Sequence, residues 1–245
     1  VLKIQSPERH WNGALISTSW HQELCQLLDH FRITVSEWEG GLTQESAVLQ
    51  DLFMMNLHVS FEELQLFAGK EGNEEAQRVY PLLRQWFDNR RSRQAIYHAG
   101  QVLRAASSFP SNHLRDFFAV ALYHCALCFW VWGVCSLGTS RSKRLPGHNL
   151  PGEGDELIWL DGEDTPDTRR FVAISRGVPM IRGLLRHGEA NQGCRLDNPK
   201  AVMELIINVM SRNCTNGSNV LPPLVENLGQ LMRDLGNAAW IVGGH

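Results

Sequence analysis

The 245 residues carry no basic excess: 23 Lys and Arg stand against 26 Asp and Glu, a formal net charge of -3. Clamping a polyphosphate backbone irrespective of sequence needs the opposite balance, which argues against non-specific nucleic-acid binding. Catalytic signatures are missing as well. There is no GxSxG, no HExxH and no GxxxxGK, so the nucleophile elbow, the zinc peptidase helix and the phosphate-binding loop all lack their sequence support. Gly152-Glu153-Gly154 lacks the third glycine of a phosphate cradle, and its acidic residues would repel phosphate. No internal repeat is apparent. The chain does not open on Met, and no basic segment leads into an apolar one, so no signal peptide is expected and the sequence reads as a piece of a longer protein.

What is present is ample core material. At 43% hydrophobic and 20% charged residues, disorder along the whole length is excluded. A folded monomer of 27.7 kDa exposes roughly 11,000 Å² against about 40,000 Å² for its extended chain. The class is a soluble, core-rich intracellular domain.

The six cysteines are Cys25, Cys125, Cys128, Cys135, Cys194 and Cys214. A chain of this length needs no disulfide framework. Cys125 and Cys128 form a CxxC preceded by His124, but zinc needs four ligands and no second CxxC or HxxxH lies nearby. Inside FFAVALYHCALCFWVWGV they read as small core hydrophobes, and free thiols without metal are expected. The sequons at Asn213 and Asn216 would matter only in a secreted protein and read as chance.

Most of the chain keeps helical time. Trp20, Leu24, Leu27, Leu28, Phe31 and Val35 make one apolar stripe, with Ser19 as the expected cap and Gly40-Gly41 as the stop. Residues 47 to 59 are too apolar for a surface helix and should be buried on most sides. Ser60 and Glu63 spell a capping box opening a short helix that stops at Gly69. Asn73 can cap the next, in which Pro81 should kink or restart the helix. Ala95, Ile96, Ala99, Val102, Leu103 and Ala106 line the face of a fifth helix, and Phe109-Pro110-Ser111-Asn112 breaks the chain before a helix from His113 to Leu137. Val202 to Met210 and Leu224 to Leu235 carry the last two stripes, the second opened by Pro222-Pro223.

Residues 138 to 199 stand apart. Gly138 to Asp155 reads as a long loop, and Leu157–Leu160 and Phe171–Ile174 read as short strands flanking the acidic loop DGEDTPD. Two such segments cannot form a stable sheet alone. The fold class is therefore all-α: a single multi-helix domain over 1–245 around a buried central helix, with a short hairpin or irregular insertion near 138–199. Its parts are a first helix within 1–44, a helical core over 45–137, the insertion over 138–199 and a helix pair over 200–240.

Few groups could carry chemistry. Phe117 to Leu137 contains no Lys, Arg, Asp or Glu and is long enough to cross a membrane; its Ala, Cys and Gly content and central Tyr123 and His124 favour the buried spine of a soluble bundle, with no membrane partner. His98 and His124 each lie on an apolar helix, where a histidine is usually a core group and sometimes a ligand-binding one. Asp161, Glu163, Asp164 and Asp167 lack EF-hand spacing and read as a solvated loop. The strings Asn89-Arg90-Arg91-Ser92-Arg93 and Arg141-Ser142-Lys143-Arg144 read as solvated faces, with nuclear import as the functional alternative.

Three strings are more specific: RQAIYHAGQVLRAA from Arg93, HLRDFFAVALYHCALCFWVWGV from His113 and LPPLVENLGQLMRDLG from Leu221. With VYPLLRQWF from Val79 and WLDGED from Trp159, they strongly resemble the C-terminal regulatory region of fungal-specific transcription factors. The members most alike carry N-terminal zinc fingers, sometimes followed by a binuclear zinc cluster. The resemblance runs over residues 45 to 240 in order and is looser before that. It implies an all-helical, non-catalytic domain that sits in the nucleus downstream of a DNA-binding module and controls activation. The implied partners are transcription machinery or co-regulator proteins, a second copy of the chain, or a small-molecule effector. DNA would be met only through the missing N-terminal module. Zinc is expected only in that module: the six cysteines here are scattered, and no cofactor or metal ligand is assigned to this chain. A second class of function, a small-molecule sensor or an enzyme derived from the same scaffold, would use a pocket near the central helix. Tyr97, His98, Tyr123 and His124 are its candidate ligand-binding groups; no catalytic residue is assigned.

Overall fold

The computed structural model describes residues 8–36, 42–142, 156–183, 193–214 and 221–242. Helices dominate: α1 (Glu8–Ser36), α2 (Gln44–His58), α3 (Phe61–Phe67), α4 (Asn73–Phe87), α5 (Arg90–Ser107), α6 (Phe117–Ser142), α7 (Pro166–Ile174), α8 (Pro199–Cys214) and α9 (Pro223–Val242). Three short strands, β1 (Leu157–Trp159), β2 (Val178–Ile181) and β3 (Cys194–Arg195), complete the described elements. The domain is all-α, as its periodicity requires. The chain divides into two compact units, residues 1–43 and residues 44–245.

The first unit holds α1. Its apolar stripe lies on a helix that begins well before the expected cap: Ser19 is inside it, and the hydroxyl donates to Glu23 Oε1 at 3.2 Å. A serine one turn before a glutamate satisfies itself along the helix and needs no helix end.

In the second unit everything converges on α6. From Ala119 to Cys135 nearly every side chain is buried, among them Phe129, Trp130 and Leu127. Helices α3, α4, α5, α8 and α9 pack around it, while α2 packs on α5. A helix apolar on all sides can only be satisfied by neighbours on all sides. Two glycines let those neighbours come close. A Cβ on Gly133 would strike the carbonyl oxygen of Leu196, and one on Gly100 of α5 would strike that of Leu160. Polar bridges then pin the bundle: Trp130 Nε1 donates to Leu235 O at 3.0 Å, and Trp86 Nε1 to His58 O at 2.8 Å.

Local signals set most boundaries. Ser60 caps α3 by accepting from Glu63 N–H, and Asn89 caps α5 by accepting from Arg91 N–H. Several ends differ from expectation. Asn73 is the first residue of α4, whose cap position is Gly72, and Pro81 sits inside one continuous helix. The residues before Phe117 form turns rather than the start of α6, because Asn112 and Asp116 take positive φ. At its other end α6 runs on to Ser142, through the first residues of the expected loop. On α2, Leu49, Phe53 and Asn56 form one exposed strip, and the remaining positions from 45 to 58 are buried or half-buried, so the helix is covered on most sides as expected.

The insertion holds the largest correction. Leu157–Trp159 is a strand, but Phe171–Ile174 is the last turn of α7. Thr165 caps that helix by accepting from Thr168 N–H, and Pro166 begins it, a start signal that outweighs a four-residue apolar run. In place of a hairpin there is a three-stranded sheet of order β1-β2-β3, β1 parallel to β2 and β2 antiparallel to β3. In register, Trp159 stands beside Met180 and Ile181 beside Cys194. The third strand and the helix between the first two supply the support that two strands lack.

Candidate functional site

The four candidate side chains come as two neighbour pairs on two helices. Tyr97 and His98 are on α5, Tyr123 and His124 on α6, with ring centroids 5.2 Å apart in the first pair and 5.7 Å in the second. Each histidine reaches a different helix.

His98 is buried between α5 and α2, where its Nδ1 lies 2.8 Å from Oδ1 of Asp51. The ring of His58, at the end of α2, stacks on it at 5.8 Å and 17°. A carboxylate holding one imidazole nitrogen orients that ring, the arrangement used to prepare a base or a ligand. Asp51 and His58 are absent from the sequence-based candidates. The signal was a lone carboxylate and a lone histidine in the largely apolar run of residues 47 to 59.

His124 faces α3. Phe61 stacks on it at 4.6 Å and 14°, and Gln65 Nε2 lies 3.1 Å from its Nε2. Burial holds its protonation below the ordinary histidine range, partly opposed by a hydrogen bond to the backbone of Val120. The ring is therefore neutral, with the Gln65 amide donating to its Nε2. Burial also pushes the Tyr123 hydroxyl above its ordinary value, so it stays protonated.

The CxxC lies on the same helix, wholly buried, and its thiols are free. Burial raises both; for Cys125 the Cys128 thiol and the charge of Asp51 add to it. Cys135 is pushed up to about 11 against the pull of Arg84. These are inert thiols, since the reactive form is the thiolate. Among the described residues no group of three or more His, Cys, Asp and Glu could hold a metal ion.

Two further clusters lie outside the candidate residues, and the sequence reading of the first was wrong. The side chain of Asp161 is buried, only 5% exposed, whereas a solvated loop was expected. Its Oδ2 accepts the N–H groups of Arg182 and Gly183 at 2.7 and 2.9 Å, and its Oδ1 is 3.8 Å from Arg182 Nε. Burial raises Asp161 above the ordinary carboxylate range despite those donors. The Arg182 guanidinium lies over Trp159 at 4.6 Å. From α5, Gln101 Nε2 donates to Leu160 O and Gly162 O. The first part of WLDGED is thus the clasp that fastens the sheet to α5. Asp164 and Asp167 stay on the surface, paired with Arg169 and Arg170. The second cluster is Asn213, at the end of α8. It accepts from the N–H groups of His113 and Leu114 and donates to Phe109 O and Pro110 O. Its amide is committed to the α5–α6 connection, in keeping with an unused sequon.

The basic string 89–93 is broken up by folding. Asn89 is the cap, Ser92 is buried, and Arg93 donates to Val172 O at the end of α7, leaving Arg90 and Arg91 on the surface. Residues 143 and 144 of the second string, Gly152-Glu153-Gly154 and Asn216 lie outside the described residues.

In architecture the chain is all-α with a central helix, and four polar clusters are set among its elements. No family model, curated protein or solved structure matches it.

Proposed function

We propose that the chain is a non-catalytic regulatory domain of a fungal transcription factor, controlling activation in the nucleus through protein partners or self-association. One observation carries the reading. The strings that bear the resemblance fall on α4, α5, α6, the β1 clasp and α9, elements that build the core around α6. A likeness held in the framework is the kind a scaffold domain keeps, whereas an enzyme's likeness concentrates at reacting groups. Tyr123 and His98 lie within packed interfaces, which suits support better than turnover.

The test is a fusion of residues 1–245 to an unrelated DNA-binding domain at a reporter promoter in a fungal host. Reporter output is expected to change by several-fold relative to the DNA-binding domain alone. Output indistinguishable from that control overturns the reading.

The small-molecule reading draws on one feature, the Asp51–His98–His58 cluster, because polar groups buried in an apolar core are costly and need partners. An effector contacting that cluster would lose its effect on the fusion's output with His98→Phe.

A further inference from the structure

We propose that the clasp between the sheet and α5 is a carboxylate-binding site, in which Arg182 and Arg104, both set against Gly162, take the carboxylate of a small molecule. The register of the sheet builds it. Trp159 stands beside Met180, and Arg182, two residues after Met180, returns to the same face. Its guanidinium lies on the indole, 4.6 Å from the ring centroid. The indole is itself wedged, since a Cβ on Gly193 would collide with Cζ3 and Cη2 of the ring. Gly162 completes the slot: a Cβ there would come within 2.8 Å of Arg182 Nη2.

Held by its flat face, this guanidinium keeps its edges free. Among the described residues none accepts a hydrogen bond from it; Asp161 Oδ1 stands 3.8 Å from its Nε, beyond bonding reach. The arginine side chain is nevertheless only 25% exposed, and Asp161 Oδ1 is itself buried without a hydrogen-bond partner. A cation so far withdrawn from solvent gains most from an acceptor that meets its donors. Asp161 occupies the Nε side, which leaves the terminal nitrogens to the ligand. Helix α5 brings the second cation to the same glycine. Gln101 and Arg104, three residues apart on one face, both donate to Gly162 O, at 3.1 and 3.2 Å. Arg104 Nη2 lies 3.6 Å from Glu163 Oε1, whose side chain is 85% exposed. That is a long, solvent-screened contact, which a ligand carboxylate can displace.

Chemistry selects the class of ligand. A stacked guanidinium presents a planar fork of donors, the geometry that pairs with a carboxylate through two parallel hydrogen bonds. Charge sets the valence. The two arginines stand against Asp161 and Glu163, while Asp164 is already held by Arg169 at 2.8 Å. Displacing Glu163 makes room for one negative charge, and the second charge of a phosphate would fall beside Asp161. Once bound, the carboxylate joins the end of β2, through Arg182, to α5, through Arg104.

The proposal goes beyond the regulatory reading and does not rest on it; the experiment reads binding rather than transcription, so each can fail alone. Acetate is the probe, titrated into the full chain at constant ionic strength against chloride. The indole N–H of Trp159 and the Nε–H of Arg182 are followed by NMR. Both signals should shift saturably with a Kd on the order of 10 mM, as suits so small a probe. Phosphate should bind more weakly. Glu163→Gln should tighten acetate binding several-fold, because the competing carboxylate is gone, and Arg104→Gln should weaken it several-fold. Both positions are exposed, so both variants keep the fold. Arg182→Lys retains the charge without the fork and should weaken binding about tenfold; should it fold poorly, the two exposed variants decide. No saturable shift up to about 100 mM acetate overturns the proposal. So does phosphate bound more tightly than acetate, or an affinity that neither Glu163→Gln nor Arg104→Gln moves.

Discussion

His124 is a titratable ring placed where its charge is unwelcome. Burial lowers its folded-state protonation, while in the unfolded chain it takes a proton near the ordinary value of about 6.5. The unfolded state therefore binds the proton first as pH falls. This group's contribution is complete above about 6.5 and is lost as pH drops through that value toward the lowered folded one. Urea midpoints at pH 7.5 and 5.5 should separate more for the parent than for His124→Gln; equal separations would refute the assignment. The thiols give a second residue-scale expectation. In the native state a small thiol reagent should reach Cys25 first and Cys194 slowly, because Cys194 is raised to about 12. Cys125, Cys128 and Cys135 should react only after unfolding; fast modification of the CxxC would show that α6 is not the sealed core described. Asn213→Ala should cost about 1–3 kcal/mol, because it strips two backbone N–H groups and two carbonyls of their partner, a loss visible as a lowered denaturation midpoint.

At the scale of the element, α6 decides whether the second unit exists. Ala126 is fully buried at its middle. Ala126→Asp would bury a carboxylate with no assigned counter-charge, at a cost of several kcal/mol against a total stability of about 5–15. This variant should fail to give a cooperative melt, whereas Gln85→Ala, on the exposed side of α4, should match the parent; a normal melt of the Asp variant would remove α6 from the core. Gly100→Val probes the approach of the clasp, since even a Cβ collides with the Leu160 carbonyl. It should lower stability by about 1–3 kcal/mol through displacement of β1. The 22-residue apolar stretch Phe117–Gly138 is also long enough to cross a membrane. Its side chains are mostly covered by protein, as a core helix requires.

At the scale of the molecule, net charge and composition bound what the chain can do alone. With a net charge of -3, titration of purified residues 1–245 against promoter DNA at physiological salt should give no specific complex below micromolar; tight binding with a steep salt slope would contradict that. Helix identity was readable from the sequence because apolar residues recurring at three and four positions report which face is buried, a property of the chain alone. So was the central place of α6, since a segment without charge or polar face has nowhere else to go. Caps were legible where side chain and backbone are neighbours, as at Ser60. The sequence could not disclose partners distant along the chain. Asp51 under His98, Gln65 against His124, Asp161 beneath β2 and Asn213 across the α5–α6 turn are joined over tens of residues. Nothing in local spacing says which buried polar group will meet which. Phe171–Ile174 was misread for a related reason: four apolar residues fit a strand or a helix end equally well, and the Thr165 cap and the neighbouring strands settle the matter. The sequence by itself determined where apolar surface must be hidden; only the tertiary structure decided which polar groups were buried with it, because desolvation makes each of them find a partner in three dimensions.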